Sequence, residues 1–259
     1  MNRAPSRLRS EILIRQKEND PVFFFDFDGT LTKIEQTPDE VKFRPIAKFI
    51  VEQLARRYAV GIVTGRALSD IKKLIGIRGI YYSGNHGVEI EGPGLTFVEP
   101  KSAESADYLD TIVPKLKTKL RQYGPIVQHK KYSIAVHYRT VEAGLVRRLL
   151  DDLESITRQP VKSGKVRLQL GKKVVELKAP VEWDKGLAIE KIVKKTRRSG
   201  KVFFFGDDMT DEFGFEKVNS LKGVSVYVGR LERKTHAKYY VESPAALIGE
   251  LAKFLFEIG

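Results

Sequence analysis

Two short apolar runs that end in carboxylates constrain this chain more than any other feature. Residues 22–25 read VFFF and are followed by Asp26 and Asp28, and residues 202–205 repeat VFFF and lead through a glycine to Asp207. A continuous apolar run of this kind is typical of a strand that is covered on both faces of a parallel sheet. In such a sheet, ligands bind beyond the carboxyl ends of the strands. The two runs therefore predict strands that carry acidic side chains to one shared site.

Strands and helices alternate at both ends of the chain. Apolar runs predict five strands, at residues 22–25, 59–64, 79–84, 201–206 and 224–229. Segments with apolar residues on one helical face lie between them, for example residues 45–58, where Pro45 stands at the start. This alternation predicts an α/β fold, with a Rossmann-like core whose parallel sheet is flanked by helices.

The middle of the chain follows a different pattern. Its predicted strands alternate apolar and polar residues, as in residues 133–138, which indicates a sheet with one face open to water or to a ligand. We therefore predict a smaller α+β domain inserted into the core. The predicted division is an amino-terminal arm over residues 1–20, a core over 21–87 and 180–259, and the inserted domain over 88–179.

Composition narrows the classes of function. The 259 residues include 46 Lys and Arg against 33 Asp and Glu, a net charge of +13 that favours an anionic partner such as nucleic acid or a phosphorylated small molecule. The absence of Cys excludes disulfides and zinc sites built on Cys. No apolar run approaches the roughly 20 residues of a membrane helix, and residues 1–20 lack the pattern of a signal peptide. We expect a cytoplasmic enzyme, monomeric and without a membrane partner.

Carboxylates at adjacent strand ends need a compensating charge. If the two acidic strands are neighbours, Asp26, Asp28 and Asp207 converge, and like charges at short range raise each other's pKa. A bound divalent cation removes that penalty. A site with few carboxylates suits Mg²⁺, which prefers oxygen ligands, keeps several waters and commonly bridges to a phosphate. We therefore predict Mg²⁺ as the cofactor.

The end of the second predicted core strand offers an anion site. Thr64 supplies a hydroxyl, Gly65 lets backbone N–H groups approach closely, and the helix start that follows Arg66 contributes a partial positive charge. Lys185 adds a mobile cation at another predicted helix start. A metal, an anion site, a Lys and a carboxylate that can attack are the parts of phosphoryl transfer through an aspartyl-phosphate.

Together these motifs resemble the haloacid dehalogenase-like (HAD) phosphatase superfamily. DFDGTL at residues 26–31 resembles its first motif, Thr64 its second, Lys185 its third, and residues 206–208 with Asp211 its fourth. An insertion between the second and third motifs resembles the cap domain of the sugar-phosphatase branch. The resemblance covers the chain from about residue 20 onward.

The resemblance implies a role for each motif residue. Asp26 would be the nucleophile, and Asp28 would protonate the leaving sugar oxygen and then deprotonate the attacking water. Thr64 and Lys185 would hold the phosphate. The implied Mg²⁺ ligands are Asp26, the backbone carbonyl of Asp28, and Asp207, with Asp208 and Asp211 behind them.

Within that branch the chain resembles the trehalose-6-phosphate phosphatases. The resemblance is carried by GDDMTDE at 206–212, SGNHG at 83–87, KYSIAVHYR at 131–139, and GKKVVEL at 171–177 followed by DKG at 184–186. It implies Mg²⁺-dependent hydrolysis of trehalose 6-phosphate to trehalose and phosphate. Related phosphatases of sucrose phosphate and mannosyl-phosphoglycerate more often carry G-D-S-x-N-D as the fourth motif. A different sugar phosphate, such as one of these or a glucosyl-phosphoglycerate, or a promiscuous range of sugar phosphates, remains the alternative.

The inserted domain carries residues that we expect to bind the sugar. Lys131, His137 and Arg139 are expected to alternate on one strand face as hydrogen-bond donors. Glu176 lies between two apolar residues, so its carboxylate is expected to face inward and to accept from hydroxyls. Lys130 and Lys131 are not ranked, because a slip of one residue turns every side chain of a strand over. The resemblance implies that Asn85 and His86 of the core, with Lys131 and Glu176, contact the sugar. With the anion site included, the expected substrate-binding set is Gly65, Arg66, Asn85, His86, Lys131, His137, Arg139 and Glu176.

Two functions without catalysis are also compatible with Asp residues at strand ends. A receiver-like phospho-switch places Asp near Mg²⁺ in the same way, but it has about half this length and no inserted domain. A basic nucleic-acid binder would use the net positive charge, but the chain shows no helix-turn-helix, RNP or zinc signature and its basic residues are dispersed. We therefore expect a sugar phosphate as the partner, and no nucleic acid.

Overall fold

The structure of the protein is a computed structural model that describes residues 5–14 and 20–257, with Glu11 described by its backbone alone. The chain divides into two compact units, Met1–Phe97 with Trp183–Gly259 and Val98–Glu182. The first unit holds a sheet flanked by helices and the second holds a smaller sheet of its own. The predicted fold class, an α/β core interrupted by a smaller α+β insertion, is confirmed.

Two sheets account for the described strands. In chain order these are β1 (Ser6–Arg7), β2 (Val22–Phe25), β3 (Ala59–Val63), β4 (Tyr81–Gly84), β5 (Glu89–Gly92), β6 (Leu95–Val98), β7 (Ile126–His129), β8 (Ser133–His137), β9 (Arg167–Gly171), β10 (Val174–Lys178), β11 (Val202–Gly206), β12 (Val224–Val228) and β13 (Tyr239–Val241). Nine of them form one sheet in the order β1-β13-β12-β11-β2-β3-β4-β5-β6. The other four form a second sheet in the order β7-β8-β10-β9.

The described helices follow the predicted alternation. They are α1 (Ser10–Ile14), α2 (Pro45–Ala55), α3 (Leu68–Ile75), α4 (Pro100–Leu120), α5 (Ala143–Lys162), α6 (Lys185–Thr196), α7 (Asp211–Ser220) and α8 (Pro244–Glu257). Pro45 and Pro100 occupy first helical positions, where a missing backbone N–H costs nothing. Among the described residues, the helices are all too short or too polar to cross a membrane.

The two VFFF runs are parallel neighbours at the centre of the large sheet. Phe23 on β2 lies opposite Phe203 on β11, and Phe25 lies opposite Phe205. The paired rings stack with centroids 5.0 Å and 4.9 Å apart. Because side chains alternate across a strand, the middle Phe of each run joins the core on the other face of the sheet. Burial on both faces explains the unbroken apolar runs and brings both acidic strand ends to one edge.

The boundary of the second unit differs from the predicted one. β5 pairs antiparallel with β4 and, with β6, extends the large sheet, so the hairpin belongs to the first unit. The buried side chain of Ile90 packs in the same core as Tyr81. The second unit therefore runs over Val98–Glu182 and not over 88–179, and the large sheet is mixed and not wholly parallel. Alternating apolar and polar residues describe a strand equally well in either sheet, so the pattern could not assign this hairpin.

The described part of the predicted amino-terminal arm belongs to the core. β1 pairs in parallel with β13, and Leu8 and Leu13 are fully buried. The backbone N–H of Ser10 donates to Glu250 Oε2 on α8 at 2.7 Å. The expectation of a separate arm is therefore wrong for residues 5–14, whereas residues 1–4 and 15–19 lie outside the described part of the chain.

The second unit is an α+β domain. Its four-stranded sheet is antiparallel throughout, with β10 paired to both β8 and β9 and with β7 paired to β8. Apolar residues of α4 and α5, including Leu116 and Leu149, pack with Ile134, Val136 and Leu177 of the sheet to form its core. One face of the sheet is thus covered by helices, which leaves the residues of alternate positions for polar contacts.

Candidate active site

Three carboxylates meet at the carboxyl ends of β2 and β11. Asp26 follows β2, Asp207 follows β11, and Asp211 begins α7. One oxygen from each of the three lies within 4.8 Å of the other two. Asp26 and Asp211 are buried and Asp207 is partly buried. The convergence that we inferred from two acidic strand ends is therefore present, although the third member of the group is Asp211 and not Asp28.

Lys185 is the counter-charge of this group. It is the first residue of α6, and its buried Nζ donates to Asp26 Oδ1 at 2.8 Å and to Asp211 Oδ1 at 2.7 Å. The preceding residue, Asp184, caps the helix by accepting from the backbone N–H of Leu187 at 3.0 Å. The cap fixes the first turn of α6 and so places Lys185 between the two carboxylates.

Burial and mutual repulsion shift the titration of the three acids. Burial raises the pKa of Asp26 well above its usual value, against the attraction of Lys185, and Asp211 and Asp207 raise it further. Burial likewise raises the pKa of Asp207 well above normal, with Asp211 and Asp208 adding to the shift. The pKa of Asp211 rises to about 6, because burial outweighs the attraction of Lys185. Fully ionised, three carboxylates and one ammonium leave two negative charges, an arrangement that fits a divalent cation.

The GDDMTDE segment folds into a turn that holds Asp211. Oδ2 of Asp211 accepts from the backbone N–H groups of Asp207 and Asp208, each at 2.9 Å. A Cβ on Gly206 would stand 2.4 Å from Cγ of Asp211, so this close approach requires glycine. Asp208 Oδ1 instead accepts from the backbone N–H and the hydroxyl of Thr210, both at 2.7 Å. Asp208 therefore closes the turn before α7 and lies outside the three-carboxylate group.

Asp28 is held by Arg66. Its two oxygens accept from Arg66 Nε at 2.7 Å and from Nη2 at 2.8 Å, and Nη2 also donates to the carbonyl of Pro38 at 3.0 Å. Burial alone would lower the pKa of Arg66, but the hydrogen bonds and charge of Asp28 raise it above its usual value. The sequence predicted that Arg66 binds the substrate. In the structure its guanidinium contacts Asp28, the residue expected to act as the general acid and base.

Gly29 allows the first and fourth motifs to touch. Its φ is +91°, and a Cβ there would stand 2.1 Å from Oδ2 of Asp207. The hydroxyl of Thr30 donates to Asp207 Oδ1 at 3.2 Å. The glycine of the D-x-D-G motif is thus needed both for its left-handed backbone and for the space beside Asp207.

The second motif and the SGNHG segment form one packed unit. The backbone N–H of His86 donates to the carbonyl of Thr64 at 2.9 Å, and that of Asn85 donates to the carbonyl of Arg66 at 2.7 Å. A Cβ on Gly65 would stand 2.5 Å from Cε1 of His86. Four residues predicted to bind substrate or phosphate therefore lie side by side at the ends of β3 and β4, with Arg66 next to them.

The second unit places the predicted sugar-binding residues differently from our expectation. Lys131 has a left-handed backbone, with φ of +65°, in the turn between β7 and β8, and its Nζ lies 5.0 Å from the ring centroid of Tyr132. Arg139 lies beyond the end of β8 and donates to the carbonyl of Lys172 at 3.2 Å. The predicted alternation of Lys131, His137 and Arg139 on one strand face is therefore wrong, and of the three His137 alone lies on β8.

Lys130 takes the position that the sequence left open. Its buried Nζ lies 3.1 Å from Oε1 of Glu176, and the hydroxyl of Ser133 donates to the same oxygen at 2.8 Å. Glu176 faces into the unit as predicted, with 5% of its surface exposed. The tight turn at Lys131 sets this register, since the backbone N–H of Lys130 donates to the carbonyl of Ser133 at 2.8 Å. The available signal for this cluster was Glu176, a charged residue between Val175 and Leu177.

The fold is that of the haloacid dehalogenase-like hydrolases. A solved hydrolase of that class from Bacteroides thetaiotaomicron superposes with a TM-score of 0.61, at 14% identity, over 90% of this chain and 98% of that one. The C-terminal domain of a trehalose-6-phosphate phosphatase from C. albicans superposes with a TM-score of 0.81, at 20% identity, over 99% of each chain. At these identities the likeness concerns the fold.

Sequence similarity gives the family. The model of the trehalose-phosphatase family matches residues 24–245. A trehalose-phosphate phosphatase from Mycolicibacterium paratuberculosis is 33% identical over 236 residues, which cover 87% of this chain and 59% of that protein. The chain belongs to the trehalose-phosphatase family, as its motifs predicted. It spans about three-fifths of the length of this relative.

Proposed function

We propose that this chain is a Mg²⁺-dependent phosphatase that hydrolyses trehalose 6-phosphate to trehalose and phosphate through an aspartyl-phosphate. The observation that carries the proposal is the buried contact of Asp26 with Lys185, beside Asp207 and Asp211 at two adjacent strand ends. Membership of the trehalose-phosphatase family supports the choice of substrate. An excess of buried negative charge next to a Lys is costly for stability alone, and it becomes useful when a cation and a phosphate are bound.

Catalysis would proceed in two steps on Asp26. In the first, a carboxylate oxygen of Asp26 attacks phosphorus, the bond from phosphorus to the sugar oxygen breaks, and Asp28 gives that oxygen a proton. In the second, Asp28 takes a proton from water and the water oxygen attacks the phosphorus. The bond from phosphorus to the Asp26 oxygen breaks, which releases inorganic phosphate and restores the Asp26 carboxylate. Lys185 and Thr64 hold the phosphoryl oxygens, and the ammonium of Lys185 offsets part of their charge.

Arg66 would control when Asp28 can act. While both oxygens of Asp28 accept from Arg66, this carboxyl group cannot present a proton to a leaving group. A phosphate dianion binds a guanidinium in the same two-pronged manner and would compete with Asp28 for it. Substrate binding would thus release Asp28 for proton transfer, and Arg66 would serve both as the partner of Asp28 and as a ligand of the phosphate.

The residues that would hold Mg²⁺ are Asp26, the backbone carbonyl of Asp28, and Asp207, with Asp208 and Asp211 behind them. The fit rests on the charge of the site, since the group of Asp26, Asp207 and Asp211 has raised pKa values that a cation would reverse. When bound, Mg²⁺ supplies positive charge next to the transferring phosphoryl group. Asp211 itself fixes the turn at residues 207 and 208 through backbone hydrogen bonds.

A second candidate is the same chemistry on another sugar phosphate. Lys130, Ser133 and Glu176 provide the second unit with buried polar groups of the kind that recognise sugar hydroxyls. These groups do not distinguish one disaccharide from another. Three further expectations stay predictions, as the choice of sugar does: that the protein is a monomer, that it acts in the cytoplasm, and that it has no nucleic-acid partner.

The test is phosphate release from a panel of esters. Trehalose 6-phosphate, sucrose 6-phosphate, glucose 6-phosphate and p-nitrophenyl phosphate are each assayed with Mg²⁺ and with EDTA. We expect Mg²⁺-dependent release that strongly favours trehalose 6-phosphate. Equal release from all four esters would support phosphatase activity and contradict the specificity for trehalose 6-phosphate. Release from none of them, with Mg²⁺ present, would contradict the proposed phosphatase activity.

A further inference from the structure

The turn after β4 has an unusual backbone that must be held in place. Asn85 and His86 both have positive φ, at 48° and 58°, in consecutive positions. A left-handed conformation is unfavourable for a residue other than Gly, and it persists where the surroundings impose it. The contacts that impose it here should therefore be visible around residues 85–87.

Glu89, on the first position of β5, makes such contacts on two sides. Its Oε1 accepts from Nδ2 of Asn85 at 2.6 Å and from the backbone N–H of Leu68 at 3.3 Å. Leu68 is the first residue of α3, which follows the Thr64–Gly65–Arg66 turn after the N-cap residue Ala67. One carboxylate oxygen therefore ties the turn after β3 to the turn after β4.

We propose that Glu89 is a positioning residue for the phosphate-binding and sugar-binding turns. It acts through Asn85 and through the start of α3, and it holds Thr64 and His86 at a fixed separation. The inference rests on the proposed function, in which these turns contact the substrate. Both hydrogen bonds depend on an accepting oxygen at this position, so the reach of the side chain is what a shorter residue would lose.

β5 provides a matched control two residues further on. Glu91 lies on the same strand and also contacts α3, where its Oε1 accepts from Nζ of Lys72. Both members of that pair are more than one third exposed. It touches neither turn, and an exposed pair of this kind contributes little to stability. Changes at Glu91 therefore report what the loss of a strand-to-helix contact does without disturbing the site.

The test compares the conservative variants E89Q and E89D with E91Q and E91D. Gln keeps the length of the side chain and an accepting oxygen, whereas Asp keeps the charge and draws the oxygen back by one methylene. We expect E89D to raise KM for the sugar phosphate by about tenfold to a hundredfold, as misplacement by an ångström can do, with kcat changed by less than about threefold. E89Q should lose less than E89D, because Gln keeps an accepting oxygen at the same reach, and both Glu91 variants should stay near wild type in KM and kcat.

Several results would overturn the proposal. These are a wild-type KM for E89D, a loss in E89Q equal to that in E89D, or an equal loss in E91D. The substrate panel shows independently which ester the wild-type protein hydrolyses, and the series uses that ester. If it hydrolyses none, the proposed function fails, and the backbone amide NMR shifts of Asn85, His86 and Leu68 test Glu89 by themselves. Those shifts should move more in E89D than in E89Q, because Gln keeps an accepting oxygen at the same reach, and unchanged shifts in E89D would contradict the positioning role.

Discussion

The two units each bury an acid next to a Lys, but the two clusters differ in charge. In the first unit, Lys185 is shared between Asp26 and Asp211, with Asp207 close by. In the second unit, Lys130 contacts Glu176, whose oxygen also accepts from a hydroxyl. The first arrangement holds more negative charge than its Lys can offset, whereas the second contact pairs one acid with one base. Excess charge suits a site that binds a cation and performs chemistry, and a matched pair suits a site that orients hydrogen bonds.

The largest difference in activity between changes in the two clusters is expected from D26N, in the first cluster. Loss of the proposed nucleophile should lower kcat on every phosphate ester by at least about 10³-fold, because the proposed covalent intermediate forms on Asp26. Thermal unfolding should change little, since Asp211 still pairs with Lys185. Phosphate release with Mg²⁺ and the unfolding midpoint measure the two effects. The exposed Asp151, changed to Asn, is the control, and wild-type turnover by D26N would refute Asp26 as nucleophile.

The Lys residues separate the clusters by their response to metal. Removal of one partner of a buried ion pair typically costs about 3–5 kcal/mol, so K185M and K130M should both lower the free energy of unfolding by that order. Saturating Mg²⁺ should recover much of the loss in K185M, because it replaces the missing positive charge. It should not do so in K130M, since Asp26, Asp207 and Asp211 are the single group among residues 5–14 and 20–257 whose side chains lie close enough together to hold a metal. Denaturant unfolding with Mg²⁺ or EDTA measures this, and equal recovery in both variants would contradict the distinction.

Substrate dependence is the next difference. E176Q should reduce kcat/KM for the disaccharide phosphate by about tenfold to a hundredfold, since it leaves Lys130 buried beside a neutral group and changes a hydrogen-bond acceptor. Hydrolysis of p-nitrophenyl phosphate should stay within about threefold of wild type, because this ester has no sugar hydroxyls for Glu176 to bind. Glu154, exposed on α5, gives the control E154Q. Equal losses on both esters would show that Glu176 maintains the fold and does not select the sugar.

Stability as a function of pH tests the excess of charge in the first cluster. The pKa of Asp211 rises from 3.8 to about 6 on folding, because burial opposes its ionisation. The unfolded chain thus loses this proton first, so the free energy of unfolding falls as pH rises through that interval. The raised pKa values of Asp26 and Asp207 act in the same direction. We expect these three carboxyl groups to make the free energy of unfolding of the metal-free protein smaller at pH 7 than near pH 4.5. The difference should be reduced in D211N, and bound Mg²⁺ should offset it. A profile in D211N as steep as that of wild type would contradict the assignment.

Much of the first cluster could be predicted, because its positions follow from local sequence and one rule of topology. A VFFF run predicts a strand buried on both faces, and parallel neighbours must deliver Asp26 and Asp207 to the same edge. Lys185 was found through its motif. Arg66 was placed correctly in sequence, but its partner Asp28 lies 38 residues away, and such a contact depends on where a long side chain points.

The second cluster could not be predicted in full, because register decides it. A left-handed turn at Lys131 moves Lys130, and not its neighbour, onto Glu176, and Lys has no special preference for that conformation. The hairpin of β5 and β6 was recognised but assigned to the wrong unit, since period-two alternation carries no information on which sheet a strand joins. β1 was missed because two residues are too few to show a pattern.

The smallest expected effect concerns the points where the chain leaves and re-enters the first unit. The rings of Phe97 and Trp183 lie 5.0 Å apart, with Lys191 Nζ 3.9 Å from the centroid of Phe97, and Trp183 Nε1 donates to the carbonyl of Gly87 at 2.7 Å.

K191M should lower the free energy of unfolding by about 0.5–1 kcal/mol, the usual size of a partly exposed cation–π contact. Trp183 is the single Trp of the chain, so its fluorescence reports this contact directly. The emission should change in K191M and stay constant in K194M, whose Lys pairs with Glu190 on the exposed side of α6. Both variants should hydrolyse p-nitrophenyl phosphate like wild type, because neither side chain contacts the buried charge clusters. A large loss of hydrolysis in K191M would mean that the contact of Lys191 with Phe97 and Trp183 is needed for activity.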